Sequence, residues 1–328
     1  MRWTSRLLLL GLLTAHAAPA GAGGEIMEVA KTWDKAPHNA FTDLMRFKGR
    51  WLCAFREGEG HVSPNGALRI ISSQDGKTWK SEALIASPKA DLRDPKIAET
   101  PDGRLMVTTA AALHQPAEYG HQSMVWFSSN GSEWGEPVEI GDPNLWMWRV
   151  TWHKGVAYSV GYSTVEPRFI RLYSSADGRR FDTLADRIFT EGYPNETSLV
   201  FLEDETCLCL LRRDAGSGTA QLGTAKPPYK EWTWKDLGVH LGGPHMLRLP
   251  DKRIVAAGRC LEGGSHTSLA WLDPEKGALT EFLKLPSGGD TSYPGLVFHE
   301  GLLWVSYYSS HEGKTSIYLA KVKLPAAK

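Results

Sequence analysis

The chain has 328 residues, 42% hydrophobic and 10% aromatic, and its 37 basic side chains are balanced by 37 acidic ones. Zero net charge with no basic block gives no electrostatic hold on nucleic acid or an acidic membrane surface, and both are excluded as partners. Four cysteines, Cys53, Cys207, Cys209 and Cys260, are too few for a disulfide scaffold and are expected as buried free thiols.

Arg2 and Arg6 precede an apolar run from Leu7 to Leu13, and small residues follow as far as Ala22. This is the pattern of a secretory signal peptide, with an apolar run too short to cross a bilayer. Residues 1–22 are therefore expected to be a signal peptide and residues 23–328 a single exported domain, secreted or periplasmic. No later segment approaches the about 20 apolar residues of a membrane helix, so no membrane insertion is expected. A monomer is expected.

Six segments then follow one grammar of polar residue, apolar run, tight turn and second apolar run. They span 41–57, 93–111, 148–162, 195–213, 243–259 and 292–309, with turns at Lys-Gly, Asp-Gly, Lys-Gly, Glu-Asp, Asp-Lys and Glu-Gly. Each reads as a β-hairpin. Downstream of the first three hairpins stand SSQDGKTW (72–79), SSNGSEW (128–134) and SSADGRRF (174–181), and GTAKPPYKEWTW (223–234) is a degenerate relative. The aromatics that close these turns recur with a period of about 50 residues, which with several short strands per unit predicts an all-β, six-bladed β-propeller. The strand-like segment 25–35 is expected to pair with SIYLAKVKL (316–324) in the last blade and so close the ring.

In a propeller, corresponding ends of the innermost strands converge on the axis. The aligned hairpins bring Asp43, Arg93, Asp94, Arg149, Asn195, Glu196, His245 and Tyr293 together at the leading ends. Arg56, Tyr162, Arg212, Arg213, Arg259 and Tyr308 stand at the trailing ends. Buried charges cost several kcal/mol each unless paired, so such a collection exceeds what a merely plugged channel needs.

The Ser-Ser-x-Asp-Gly turns resemble the Asp-box of sialidases and BNR-repeat proteins, with the Asp here directly before the Gly. The resemblance implies a sialidase-like propeller and an exo-α-sialidase-type retaining glycoside hydrolase acting on glycans with an acidic sugar. SYPGLVFHEGLLWVSYY is similar to the late-blade segment that carries the family's nucleophilic tyrosine, which implies that role for Tyr293. PNETSLVFLEDETCLCLLRR is similar to the middle blade that supplies a glutamate and an arginine, implying Glu196 with Arg212 or Arg213; VAAGR implies Arg259 as a further carboxylate ligand. Where the family has Arg-Ile-Pro, this chain has Phe41-Thr42-Asp43-Leu44. The loop expected to hold an acid/base aspartate, 56–68, offers Glu57, Glu59 and His61 instead.

The residue types suit the chemistry. Arginines read a carboxylate bidentately, a neutral phenol approaches an anionic sugar without repulsion, and a carboxylate beside the phenol takes its proton. His61 or Glu59 is expected to assist the leaving group. Arg56, Arg93 or Arg149 is expected to supply the missing positive charge, with Asp43, Asp94 and His245 alongside. Tyrosine, histidine and an arginine-neutralised carboxylate also suit a uronate-directed polysaccharide lyase, and a glycan-binding propeller without turnover is the third reading. No cofactor is expected, and no spaced ligand set supports a metal. Asn130 and Asn195 lie in glycosylation sequons.

Overall fold

The computed structural model of the protein describes residues 23–115 and 118–326; the expected signal peptide lies outside them. Among the described residues, 24 strands form six four-stranded antiparallel sheets. Five blades are continuous in sequence, over 38–85, 90–140, 145–189, 194–236 and 242–284. The sixth joins three strands from 291–323 to Glu25–Trp33, which pairs antiparallel with Ser316–Lys323 as the sequence predicts. Blade six thus joins the first described strand to the last three and closes the ring. Among the described residues, no helix is long and apolar enough to cross a membrane.

The first strand of each blade, led by His38–Phe47 in blade one and Thr291–His299 in blade six, packs against the first strands of both neighbouring blades around the axis. Its link to the second strand is a tight turn. At Lys48-Gly49, Lys154-Gly155 and Glu300-Gly301 both turn residues have positive φ, the geometry that matches strand twist in a two-residue hairpin. Apolar residues from adjoining sheets fill the space between blades, as Leu52, Ile70, Leu105 and Val107 do between blades one and two.

The three Asp-box-like turns link the third and fourth strands of blades one to three and share one hydrogen-bond pattern. The Ser73, Ser128 and Ser175 hydroxyls accept the amides of Gly76, Gly131 and Gly178 at 2.7–2.8 Å. Asp75, Asn130 and Asp177 each accept the next two amides beyond the glycine. These turns stand at the opposite end of the blades from the leading ends of the innermost strands. They hold the fold and touch none of the candidate chemistry.

One irregularity recurs at a single level around the axis. In every innermost strand two residues oppose one on the second strand: Phe41-Thr42, Asp94-Pro95, Trp148-Arg149, Asn195-Glu196, Gly243-Pro244 and Tyr293-Pro294. Phe41, Asp94, Gly243 and Tyr293 have positive φ there. Such a bulge re-aims side chains that regular alternation would send elsewhere, and it tolerates proline because the ladder is already broken. Six bulges at one height make a ring of re-aimed residues.

All four cysteines are unpaired; three are buried and Cys260 is partly exposed.

Candidate active site

Tyr293 and Glu196 meet across this ring from blades six and four. The Tyr293 hydroxyl donates to Glu196 Oε1 at 2.5 Å, and Arg212 donates both to Glu196 Oε2 at 2.9 Å and to the Tyr293 oxygen at 3.1 Å. The Gly243 amide donates to Glu196 Oε2 at 2.8 Å. Burial raises the proton affinity of Glu196, but the Arg212 charge and the bonds from Tyr293, Arg212 and Gly243 outweigh it, so the carboxyl lies below its ordinary range and is ionised at neutral pH. Burial, followed by the Glu196 charge, holds the Tyr293 phenol well above its ordinary value. The resting pair is therefore a neutral phenol poised against a carboxylate. The Tyr293 ring is fixed edge-on by Phe41 at 5.0 Å and flanked by Trp148 at 5.8 Å.

Gly243 is required at its position twice over. Its φ is +59°, and a Cβ would lie 2.8 Å from the Tyr293 ring. Gly243→Ala is expected to displace Tyr293 and cut turnover about a hundredfold, the cost of misplacing a reacting group by about 1 Å. Steady-state kinetics with the folded variant check this.

Blade two adds Asp94 and Lys96. Asp94 is buried with Oδ1 unpartnered, and burial, against the pull of Arg93 and Lys96, lifts its carboxyl to about 6. Lys96 is pushed down to about 8, first by burial and then by Arg149. Its ammonium lies 4.8 Å from the Trp148 ring centre and 5.7 Å from that of Tyr293. The Glu196 charge adds to the lift on Asp94, and burial, then the charges of Glu196 and Asp94, hold the Tyr162 phenol well above its ordinary value.

Further along the axis Arg149 donates twice to Asp43, at 2.7 and 2.9 Å, and Asp43 also accepts the Ile97 amide at 2.9 Å. His245 Nδ1 donates to the Pro294 carbonyl at 3.1 Å, and the ring is held well below its ordinary value by burial, then by Arg149. These three tie the innermost strands together. Past them, the other mouth of the channel is a cavity of about 750 Å³ lined by apolar strand ends such as Val150, Met246 and Leu296.

At the rim on the tyrosine side, Arg259 makes one hydrogen bond among the described residues, to Thr291 O at 3.3 Å. Arg93 has only long contacts, 3.7 Å to Asp91 and 3.5 Å to His61 O, with Trp146 under its guanidinium. His61 is exposed and its Nδ1 donates to Asp290 Oδ2 at 2.8 Å, where His38 Nε2 also donates at 3.0 Å. Tyr308 completes the arrangement with a bond to Asp290 Oδ1 at 2.8 Å. Burial opposes the ionisation of Asp290, but the bonds from His38, His61 and Tyr308 prevail and keep it below the usual carboxylate range.

Besides Asp43, Arg149 and His245, which tie strands further along the axis, three more expected site residues stand away from the Tyr293–Glu196 pair. Arg56 is fully buried and its donors are spent on Asp91, Gly60 O and Ser63, so it supplies no charge to a substrate. Arg213 points away from the axis to Asp236, Ser217 and Thr219, because adjacent strand residues alternate and Arg212 takes the inward side. Glu59 projects from an exposed loop. The sequon residue Asn195 is buried with its amide bonded to Asp214 at 2.8 Å and is out of reach of a glycan. Sequence reasoning missed Lys96 and Asp290, and gave Asp94 only a binding role. A lysine inside the apolar strand segment Pro95–Ala98 was the available signal for Lys96.

No protein-family model matches the chain, and no curated protein matches it. Solved structures do. A protein of unknown function from Dyadobacter fermentans is 22% identical with a TM-score of 0.81, over 92% of this chain and 99% of that one. An α-L-arabinofuranosidase from Fusarium graminearum is 14% identical with a TM-score of 0.71, over 91% and 98%. A Trypanosoma rangeli sialidase is 12% identical with a TM-score of 0.67, over 87% of this chain and 55% of the sialidase. The fold is that of the sialidase-like six-bladed propellers. Both the sialidase and the α-L-arabinofuranosidase have it, so the fold leaves the sugar to be argued from the site.

Proposed function

We propose that the protein is a retaining glycoside hydrolase of sialidase type that acts on glycans ending in an acidic sugar. The observation that carries this reading is the 2.5 Å bond from the Tyr293 phenol to the Glu196 carboxylate, with Arg212 bridging both. In the first step Tyr293 Oη forms a bond to the anomeric carbon as the glycosidic C–O bond breaks. The phenol proton passes to Glu196, and the leaving oxygen takes a proton from Asp94. In the second, Asp94 as carboxylate removes a proton from water, which attacks the anomeric carbon, and Tyr293 leaves and regains its proton from Glu196. A phenol suits this role because the incoming sugar is itself anionic. Arg259 and Arg93 offer guanidinium donors at the rim for the sugar carboxylate, while Arg212, paired with both Glu196 and Asp214, orients the Tyr293–Glu196 pair beneath it.

Asp94 is assigned as the acid because its carboxyl, short of a partner and lifted to about 6, is half protonated near pH 6 and keeps a minor protonated fraction at pH 7. Turnover is expected to fall on the alkaline side as pH rises through about 6. Asp94→Asn is expected to slow hydrolysis of natural glycosides by about 10² to 10⁴, and to spare substrates with an aryl leaving group that needs no proton. The same change has a stability sign. The folded chain holds this proton more tightly than the unfolded one, so the contribution of Asp94 is full below about pH 4 and is lost as pH rises through about 6. Asp94→Asn is expected to add about 2–3 kcal/mol in urea melts near pH 8 and nothing near pH 4.

The reading is tested with sialosides, uronosides and neutral glycosides, α-L-arabinofuranosides among them, while enone absorbance is followed. Free acidic sugar without unsaturation is the expected result. Unsaturated product would make the protein a lyase, and binding without release would make it a glycan receptor.

A further inference from the structure

We propose that the fifth blade carries a metal site on its second, third and fourth strands, in which Cys260, His266 and Glu281 hold a zinc-like divalent ion whose fourth position opens onto an adjoining cavity. The thiol, one imidazole nitrogen and one carboxylate oxygen all lie within 4.8 Å of one another, and closure of about 1 Å by side-chain rotation would bring them to the roughly 3.3–3.8 Å separations of tetrahedral ligands at about 2.0–2.3 Å.

The hydrogen bonds around His266 show why a cation belongs there. His266 Nδ1 lies 2.6 Å from the Gly264 carbonyl oxygen, which only accepts, so Nδ1 carries hydrogen. A neutral ring then presents a lone pair at Nε2. That lone pair faces Glu281 Oε2 at 3.1 Å, a second acceptor. Two acceptors at this distance need a positive centre between them, either a proton on the ring or a metal ion. The sulfur of Cys260 beside them marks the metal, since thiolate, imidazole and carboxylate together are a zinc donor set and a poor one for magnesium or calcium.

The supports of such ligands are also in place. The Gly264 carbonyl fixes the ring and its tautomer, and the Ser268 hydroxyl donates to Glu281 Oε2. Lys284 approaches the other carboxylate oxygen, Oε1, at 3.6 Å and leaves Oε2 to the site. Cys260 and Glu281 line a cavity of about 700 Å³, with His240, Leu261 and Glu262 on its other walls. Three protein ligands facing a cavity leave one position for water or a small anionic or thiol ligand. The set escapes a search for ligand spacing because strand register assembles it. Cys260 pairs directly with His266 across two strands, and Glu281 comes from the outermost strand opposite Ala270.

The test uses the full chain, stripped by chelator and kept reduced, titrated with Co²⁺ in the absence of oxygen. One equivalent is expected to bind with tetrahedral d–d absorption and a thiolate-to-cobalt charge-transfer band, and Zn²⁺ is expected to displace it. Cys260→Ser is expected to abolish the band, and Glu281→Gln to weaken Co²⁺ binding more than about tenfold with the circular dichroism unchanged. His38→Ala, which disrupts the separate His38, His61 and Asp290 group, is expected to leave the band intact. Absence of the band at stoichiometric Co²⁺ overturns the proposal. So does a band that survives Cys260→Ser, or Co²⁺ affinity unchanged in Glu281→Gln should the serine variant fail to fold.

Discussion

Tyr293→Phe is expected to abolish turnover and leave the propeller folded. The change removes one oxygen, and with it the atom that forms the bond to the anomeric carbon. Loss of the attacking atom is expected to cost at least about a thousandfold in kcat, as deletion of a nucleophile does elsewhere. Stability falls modestly. Glu196 loses one of its bonds but keeps Arg212 and the Gly243 amide, and the ring keeps its contacts with Phe41 and Trp148. A drop of about 1.5–3 kcal/mol in urea melts is expected, the worth of a hydrogen bond to a charged group. Kinetics on a folded Tyr293→Phe chain therefore report chemistry, and turnover at the parent rate would remove Tyr293 from the reaction.

Arg56 gives the opposite result, a large loss of stability from a residue that no substrate reaches. Its guanidinium is fully buried, with Nε on Asp91 at 2.8 Å, one terminal nitrogen on Gly60 O at 2.8 Å and the other on Ser63. Gly58 and Gly66 press so close to it that a Cβ on either would overlap its nitrogens. Arg56→Met leaves the buried Asp91 carboxylate with only the 3.7 Å contact to Arg93, and about 3–5 kcal/mol of folding stability is expected to be lost. Urea unfolding measures it. Arg56→Met combined with Asp91→Leu is expected to recover part of the loss, because the stranded charge is then gone. A near-neutral Arg56→Met would mean that the pair contributes nothing.

The contrast between Tyr293 and Arg56 also shows how far the chain can be read without coordinates. Hairpin turns such as Lys48-Gly49 and the recurring Ser-Asp-Gly turns are local, so the six blades and the closing strand Glu25–Trp33 were legible. Alignment of the hairpins also identified which residues occupy equivalent places. It did not show which side of the sheet each one faces. Arg56, Arg213 and Arg259 share a register position, opposite Ala40, Pro194 and Gly242. Arg212 is different: it stands opposite the bulge that turns Glu196 inward. Bulges are set by cross-strand register, which no single strand records, although the Asp94-Pro95, Gly243-Pro244 and Tyr293-Pro294 steps carry a trace of them. Asp94 was legible as a neighbour and not as an acid, because its proton affinity comes from burial by distant blades. Asp290 lay outside every aligned position and gains its role only from His38 and His61, far away in sequence.

The most direct measurement is to incubate the protein with a fluorinated glycosyl fluoride of the sugar it releases, then digest it and locate the adduct by mass spectrometry. The expected result is one glycosyl group on the peptide containing Tyr293, attached through its phenolic oxygen. An adduct on a carboxylate such as Glu196 or Asp94, or release of product with inverted configuration and no adduct at all, would contradict it.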